Sequence, residues 1–159
     1  MNELPASARR FAAALEGLGH DEAVVVLDDS ARTAAEAAAA LGCQVAEIAK
    51  SVVFRRLDDD ASVVVVTSGD RRVDPHKVGE LVGAVGRADA DFVRSTTGYV
   101  IGGVPPVAHD GPTVVLVDRS LSRFERVWAA AGHPHAVFPL SPEALATWHG
   151  TVAVDTSAD

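Results

Sequence analysis

Two β-branched runs separated by three aspartates constrain this chain more than any other feature. Ser51-Val52-Val53-Phe54-Arg55-Arg56-Leu57 and Ser62-Val63-Val64-Val65-Val66-Thr67 flank Asp58-Asp59-Asp60. β-Branched and aromatic side chains suit a pleated, half-buried surface. A short polar break between two such runs reads as an antiparallel hairpin. A hairpin favours a mixed sheet over a purely parallel one.

Other segments alternate helix and strand. Ser7 to Leu18 carries Phe11, Ala14, Leu15 and Leu18 on a helical stripe that Gly19 ends. Ala23 to Leu27 reads as a buried strand. Ser30 is the expected cap of a helix from Ala31 to Leu41, with Gly42 at its C-terminus. Ser68-Gly69-Asp70 is a turn. Asp74-Pro75 starts a helix reaching Leu81 or Val82, which Gly83 to Gly86 loosens. Ala90 to Val93 is expected as a short strand or extended segment, and Val114 to Asp118 as a strand. Arg123 to Ala131 is expected as a helix ended by Gly132, then Ala136 to Leu140 as extended chain. Ser141-Pro142-Glu143 opens a short helix, Thr151 to Val154 is a last strand, and Thr156 to Asp159 is expected to fray. Strands interleaved with helices, without repeats or a composition break, indicate one α/β domain over 1–159.

Composition excludes several classes of function. The formal charge is −8, which opposes a protein that grips long nucleic acid, DNA included, along a basic face. A pocket holding only one RNA end depends on local charge and stays open. No apolar run reaches the roughly 20 residues of a bilayer span, so no membrane role is expected. Met1-Asn2-Glu3-Leu4-Pro5 lacks a basic region followed by an apolar one, and Cys43 is the sole cysteine. No secretory signal or intrachain disulfide is read, and a cytoplasmic setting is expected.

Two segments about fifty residues apart carry the chemistry. Ile48-Ala49-Lys50-Ser51-Val52-Val53-Phe54 puts a lysine at the head of an apolar run. Taken alone, Lys50 reads as a solvated strand-edge lysine, since most lysines are exposed. Turned inward, it gives a fixed positive charge to a phosphate or carboxylate. Thr97-Gly98-Tyr99-Val100-Ile101-Gly102-Gly103-Val104-Pro105-Pro106 is a glycine turn closed by prolines. It reads either as a tight turn or as a loop whose backbone N–H groups hold an oxyanion. No Gly-Lys-Ser/Thr follows it, and the dinucleotide glycine spacing is missing, so neither a Walker loop nor a nucleotide cofactor is indicated. His133 and His135 flank Pro134 and read as turn residues or as pocket lining. The absence of His-x-x-x-His and Cys-x-x-Cys pairs argues against a metal site. No serine sits in a Gly-x-Ser-x-Gly elbow.

The order of segments then carries a resemblance. Ala31-Arg32-Thr33-Ala34-Ala35-Glu36-Ala37-Ala38 leads into Leu41-Gly42-Cys43 and the Lys50 segment. Ser68-Gly69-Asp70, Val73-Asp74, the Gly98 to Pro106 loop, Val117-Asp118-x-Ser120-Leu121 and Ala130-Ala131-Gly132-His133 follow. This arrangement resembles the YbaK/ProX family of aminoacyl-tRNA deacylases, related to the editing domain of bacterial prolyl-tRNA synthetases, over about 23–154. The resemblance implies a mixed, largely antiparallel, barrel-like sheet flanked by helices. It implies a free-standing editing hydrolase without a cofactor, acting on the acceptor end of tRNA(Pro) or another tRNA mischarged with a small residue such as Ala, Cys or Ser. A synthetase partner is compatible with it. By carry-over, Lys50 matches the essential lysine, and Gly102 and Gly103 belong to the loop that holds the substrate carbonyl. Thr33 falls in the helix lining the amino-acid pocket. Ser51, Gly98, Tyr99, Val104, Pro106, His133 and His135 complete the expected substrate contacts. Ala130 and Val137 stand where cysteine-clearing members carry Ser and Asp, which weakens a cysteine-specific reading. The alternative is a non-catalytic module that binds a tRNA end or a synthetase.

Overall fold

The computed structural model describes residues 4–28 and 33–158. The expected hairpin is its centre. Strand β2 (Ile48–Arg56) pairs antiparallel with β3 (Ser62–Ser68) in unbroken register from Ala49↔Ser68 to Arg55↔Ser62. All four valines of β3, Val63 to Val66, are fully buried. Val64 and Val66 join the main core with Phe11, Leu121, Phe138 and Leu140. Val63 and Val65 face the other way, onto Val78 and Leu116. Covering on both faces explains a continuous apolar run instead of an alternating one. Each such side chain contributes about 1.5–3 kcal/mol by leaving water.

The rest of the sheet grows from this hairpin. β5 (Thr113–Val117) lies parallel to β3. On the other side, β6 (Val127–His133) touches β2 in parallel through Ile48↔Trp128 and Ala49↔Ala129. β7 (Ala136–Leu140) pairs antiparallel with β6, and the short β1 (Val25–Val26) pairs antiparallel with β7. β4 (Val85–Arg87) runs antiparallel to the far end of β2. The result is a seven-stranded, mostly antiparallel mixed sheet with flanking helices.

Helix α1 (Ala6–Gly17) packs Phe11 edge-on to Tyr99 and against Phe138. α2 (Ala34–Leu41) ends at Gly42 in a left-handed conformation, as expected. Its cap is Thr33, whose hydroxyl accepts from the Glu36 N–H, and the expected cap Ser30 lies outside the described residues. α3 (Pro75–Val82) and α5 (Pro142–His149) start at Asp74-Pro75 and Ser141-Pro142, as the sequence indicates.

Five expectations fail, the first being the buried strand at Ala23 to Leu27, which reduces to Val25–Val26 with Val25 exposed. Ala90 to Val93 is the start of α4 (Ala90–Thr97), because Asp89 caps it by accepting from the Phe92 N–H. The expected helix from Arg123 to Ala131 is a 3-10 turn at Arg119–Arg123 followed by β6. Pairing with β7 and β2 there overrides the helical propensity of three alanines. The expected strand Thr151 to Val154 reduces to a single bridge, Asp118↔Val154. The tail is anchored and not frayed at Thr156, which is fully buried. Asp118 accepts from the Thr156 N–H (2.7 Å), the Thr156 hydroxyl (2.6 Å) and the Ser157 hydroxyl (2.9 Å).

Candidate functional site

The site lies where β2 loses its neighbours. Polar groups on a strand alternate between its two edges. The Ile48 carbonyl accepts from the Gly69 N–H, and the Arg56 N–H donates to Ala61, so even-numbered residues of β2 turn to β3. The Leu57 N–H donates to Ala84, so odd-numbered residues turn to the opposite edge. There β6 covers only Ile48 and Ala49, and β4 begins at Phe54↔Arg87. Residues 50–52 have no strand opposite them on that edge, which leaves the polar groups of Ser51 and the N–H of Val53 facing a gap.

The loop from Gly98 to Pro106 closes over the gap and divides it into two cavities. One, of about 220 Å³, is bounded by Lys50, Ser51, Gly102, Val104 and Trp128, with Thr33, Ala34 and Ala37 from the α2 side. The other, of about 270 Å³, is bounded by Ser51, Val52, Val53, Ala88, Val93 and Ile101. Ser51, Gly102 and Val104 border both. The Ser51 hydroxyl oxygen is buried and has no hydrogen-bond partner among the described residues.

Lys50 and the glycine loop therefore meet, although they lie fifty residues apart in the chain. Lys50 sits within β2, not at its head, opposite Thr67. Burial pushes its ammonium below the ordinary lysine value of 10.5, and the charge of Asp70 partly opposes this. Asp70 itself is taken by Arg123, at 2.8 Å, whose hydrogen bond holds the Asp70 carboxyl at about 2. The alanines of α2 and β6 keep the walls beside Lys50 low.

Glycine is required in the loop on geometric grounds. Gly102 has φ +88°, a left-handed conformation that disfavours side chains. A Cβ on Gly103 would lie 2.9 Å from the backbone of His133, so the loop can rest on the β6–β7 turn only through a glycine. The Gly103 N–H donates to the Val100 carbonyl at 2.9 Å. This removes one of the two glycine amides expected to serve an oxyanion and leaves that of Gly102.

Other expected residues stand behind the loop. Gly98 is the left-handed cap of α4, and its carbonyl accepts from Arg10. Tyr99 is buried in the core beneath the Arg10 guanidinium. Pro106 is buried. His133 and His135 stack edge to face, and the His133 Nδ1 accepts from the His135 N–H. Their turn reaches the first cavity through Pro134. Thr33 borders that cavity at the end of α2 and not within it.

Two residues of the site escape sequence reading. The ring Nε2 of His109 donates to the Pro105 carbonyl, and that of His149 donates to the Pro106 carbonyl, both at 2.7 Å. They brace the loop from behind. Burial pushes the His109 ring below its ordinary value. No spacing announces the pairing of Pro106 with a histidine forty-three positions later. Among the described residues, no group of three or more His, Cys, Asp or Glu is placed to hold a metal ion. No described helix is long and apolar enough to cross a membrane.

The profile of the aminoacyl-tRNA editing domain family matches residues 28–148. The Bacillus subtilis (strain 168) protein YwhH is 36% identical over 125 residues, which is 77% of this chain and 78% of that protein. A proline–tRNA ligase of Lactobacillus helveticus (strain DPC 4571) is 31% identical over 87 residues, 54% of this chain but only 15% of the ligase. A crystal structure of a protein proposed as a trans-editing enzyme for prolyl-tRNA synthetase superposes with a TM-score of 0.92 at 40% identity, covering 99% of this chain and 100% of that one. The structure of the protein APE2540 superposes with a TM-score of 0.84 at 33% identity, over 92% of this chain and 97% of that one.

Proposed function

The chain belongs to the aminoacyl-tRNA editing domain family, and from that premise we propose that it is a free-standing deacylase. Its substrate on this reading is a tRNA carrying a small wrong amino acid, with tRNA(Pro) mischarged with alanine, cysteine or serine the first to try. The observation that carries the reading is the meeting of Lys50 with Gly102 in one cavity at the open edge of β2.

The reaction needs little from the protein. The ester between an amino acid and the terminal ribose is already activated. Water adds to its carbonyl carbon, and the carbonyl oxygen becomes an oxyanion that the Gly102 N–H stabilises. Donors of this kind contribute roughly 3–4 kcal/mol. The tetrahedral intermediate collapses by breaking the bond to the ribose oxygen, which takes a proton, and the free amino acid and tRNA leave. The Lys50 ammonium holds the terminal phosphate or ribose so that the ester lies on the loop. The partnerless Ser51 hydroxyl is available to the ribose hydroxyl beside the ester. No side-chain base is assigned, and the substrate's own hydroxyl assists the attacking water. Because the overall charge is −8, recognition is confined to the acceptor end, or a synthetase supplies the wider tRNA contact.

A panel of mischarged tRNAs tests the reading. We expect deacylation of at least one member, and Lys50→Ala to lower kcat/KM about a hundredfold, the scale of a lost charge-assisted contact. Intact protein that binds tRNA yet deacylates no member of the panel overturns it in favour of a non-catalytic binding module.

A further inference from the structure

We propose that the second cavity seats the terminal adenine of the tRNA, which is read by the bare backbone of β2. This rests on the editing assignment for the identity of the nucleic acid, but its observations are separate. The cavity touches Ser51, Val52 and Val53 in succession. Side chains of neighbouring strand residues point to opposite faces, so a cavity that meets three in a row lies against the strand's edge and not on a face.

That edge offers a definite pattern. Register with β6 stops at Ala49, and the Phe54↔Arg87 register uses the Val53 carbonyl in the ladder to β4. The Ser51 carbonyl and the Val53 N–H remain, two residues apart on one edge. An acceptor and a donor so placed complement the 6-amino group and N1 of adenine. The Ser51 carbonyl accepts from the amino group, and the Val53 N–H donates to N1. Guanine and hypoxanthine present the opposite pattern, and a base tethered to its ribose cannot turn over to correct it. Aliphatic side chains supply the walls. Ala88 and Val93 lie below, and Ile101, 58% exposed at the lip of the loop, lies above. Such an exposed apolar residue beside an apolar cavity suits the face of a flat base. Ser51, Gly102 and Val104 border both cavities, so a base here leaves the ester at Gly102 and the amino acid in the first cavity, toward the α2 side.

The test varies the base and leaves the protein intact. Mischarged tRNAs ending in adenosine, 7-deazaadenosine, purine riboside and inosine are compared for kcat/KM. The 7-deaza form keeps both reading groups and is expected to match adenosine. Purine riboside, lacking the amino group, is expected to fall about tenfold, as for one lost hydrogen bond, and inosine further. Equal turnover of the inosine and adenosine substrates overturns the proposal while leaving the deacylase reading intact. If no tRNA is deacylated, the deacylase reading fails, and titration of the wild-type protein with AMP decides the adenine seat alone. A downfield shift of the Val53 amide proton supports the seat. A Val53 amide that does not move up to the solubility limit of AMP overturns it.

Discussion

The two edges of β2 perform opposite tasks. Toward β3 the strand is paired at every position from Ala49 to Arg55, and its partner is buried from end to end. Toward β6 and β4 the same strand is paired only at its ends, and the middle faces cavities. One edge satisfies its polar groups within the protein and contributes stability. The other leaves them at the cavities, without a partner strand. A backbone edge cannot be changed by substitution, so specificity built on it is insensitive to most mutations of the strand itself.

Three substitutions can break this contrast. The largest expected effect is on the open edge. Gly103→Val drives a side chain into the His133 backbone and displaces the Gly102 donor. Deacylation by the folded protein is expected to fall a hundredfold or more, well beyond the loss of folded fraction that overpacking by about 1–3 kcal/mol causes. A Gly103→Val protein with wild-type turnover removes the loop from catalysis. The converse belongs to the closed edge. Val64→Ala, opposite Val53 and fully buried, is expected to cost about 2 kcal/mol of unfolding free energy, with unchanged kcat for the folded fraction. A large loss of kcat at temperatures where the variant is fully folded would merge the two edges into one functional unit.

The smallest effect is remote from both. Burial alone raises the Asp118 carboxyl, but hydrogen bonds from Ser120 and Thr156 outweigh it and hold the group at about 2, below its ordinary 3.8. Its folded-state value is depressed, so its stabilisation is complete above about pH 4 and is lost as the pH falls toward 2. Asp118→Asn is expected to cost about 1–2 kcal/mol at neutral pH and to flatten the acid limb of stability, as followed by thermal unfolding against pH. An unchanged acid limb would mean that the tail is held by other contacts.

The closed edge was legible in the sequence and the open one only partly. The valine runs and the three aspartates announce the hairpin, and Asp74-Pro75 and Ser141-Pro142 announce two helices, because each signal is local. Lys50 and Gly102 were visible as residues, but their meeting depends on the departure of β6 from β2. The strand that departs has the local signature of a helix. Ala129, Ala130 and Ala131 have helical propensity, and pairing with Phe138 and Val137 of β7 and with Ala49 of β2 makes this stretch strand. Ala90 to Val93, a short strand or extended segment on sequence alone, is helical because Asp89 caps it. Nothing local marks the tail as held, because Asp118, its anchor, lies thirty-eight positions earlier. For β6 and the tail a distant partner overrides local preference, whereas the Asp89 cap is a local signal three residues from its partner.

The contact between β2 and β6 also bears on how the protein acquires its site. It joins residues 48 and 128, in parallel, through two registered pairs. Parallel pairing across so long a loop is among the slowest events in folding, because chain closure must precede any reward. The β2–β3 hairpin needs only its own few residues and forms early. A nascent chain therefore holds its stable half before the half that borders the cavities exists, and pulse-labelled hydrogen exchange should show Val65, whose N–H faces β2, protected well before Ala49, whose N–H faces β6.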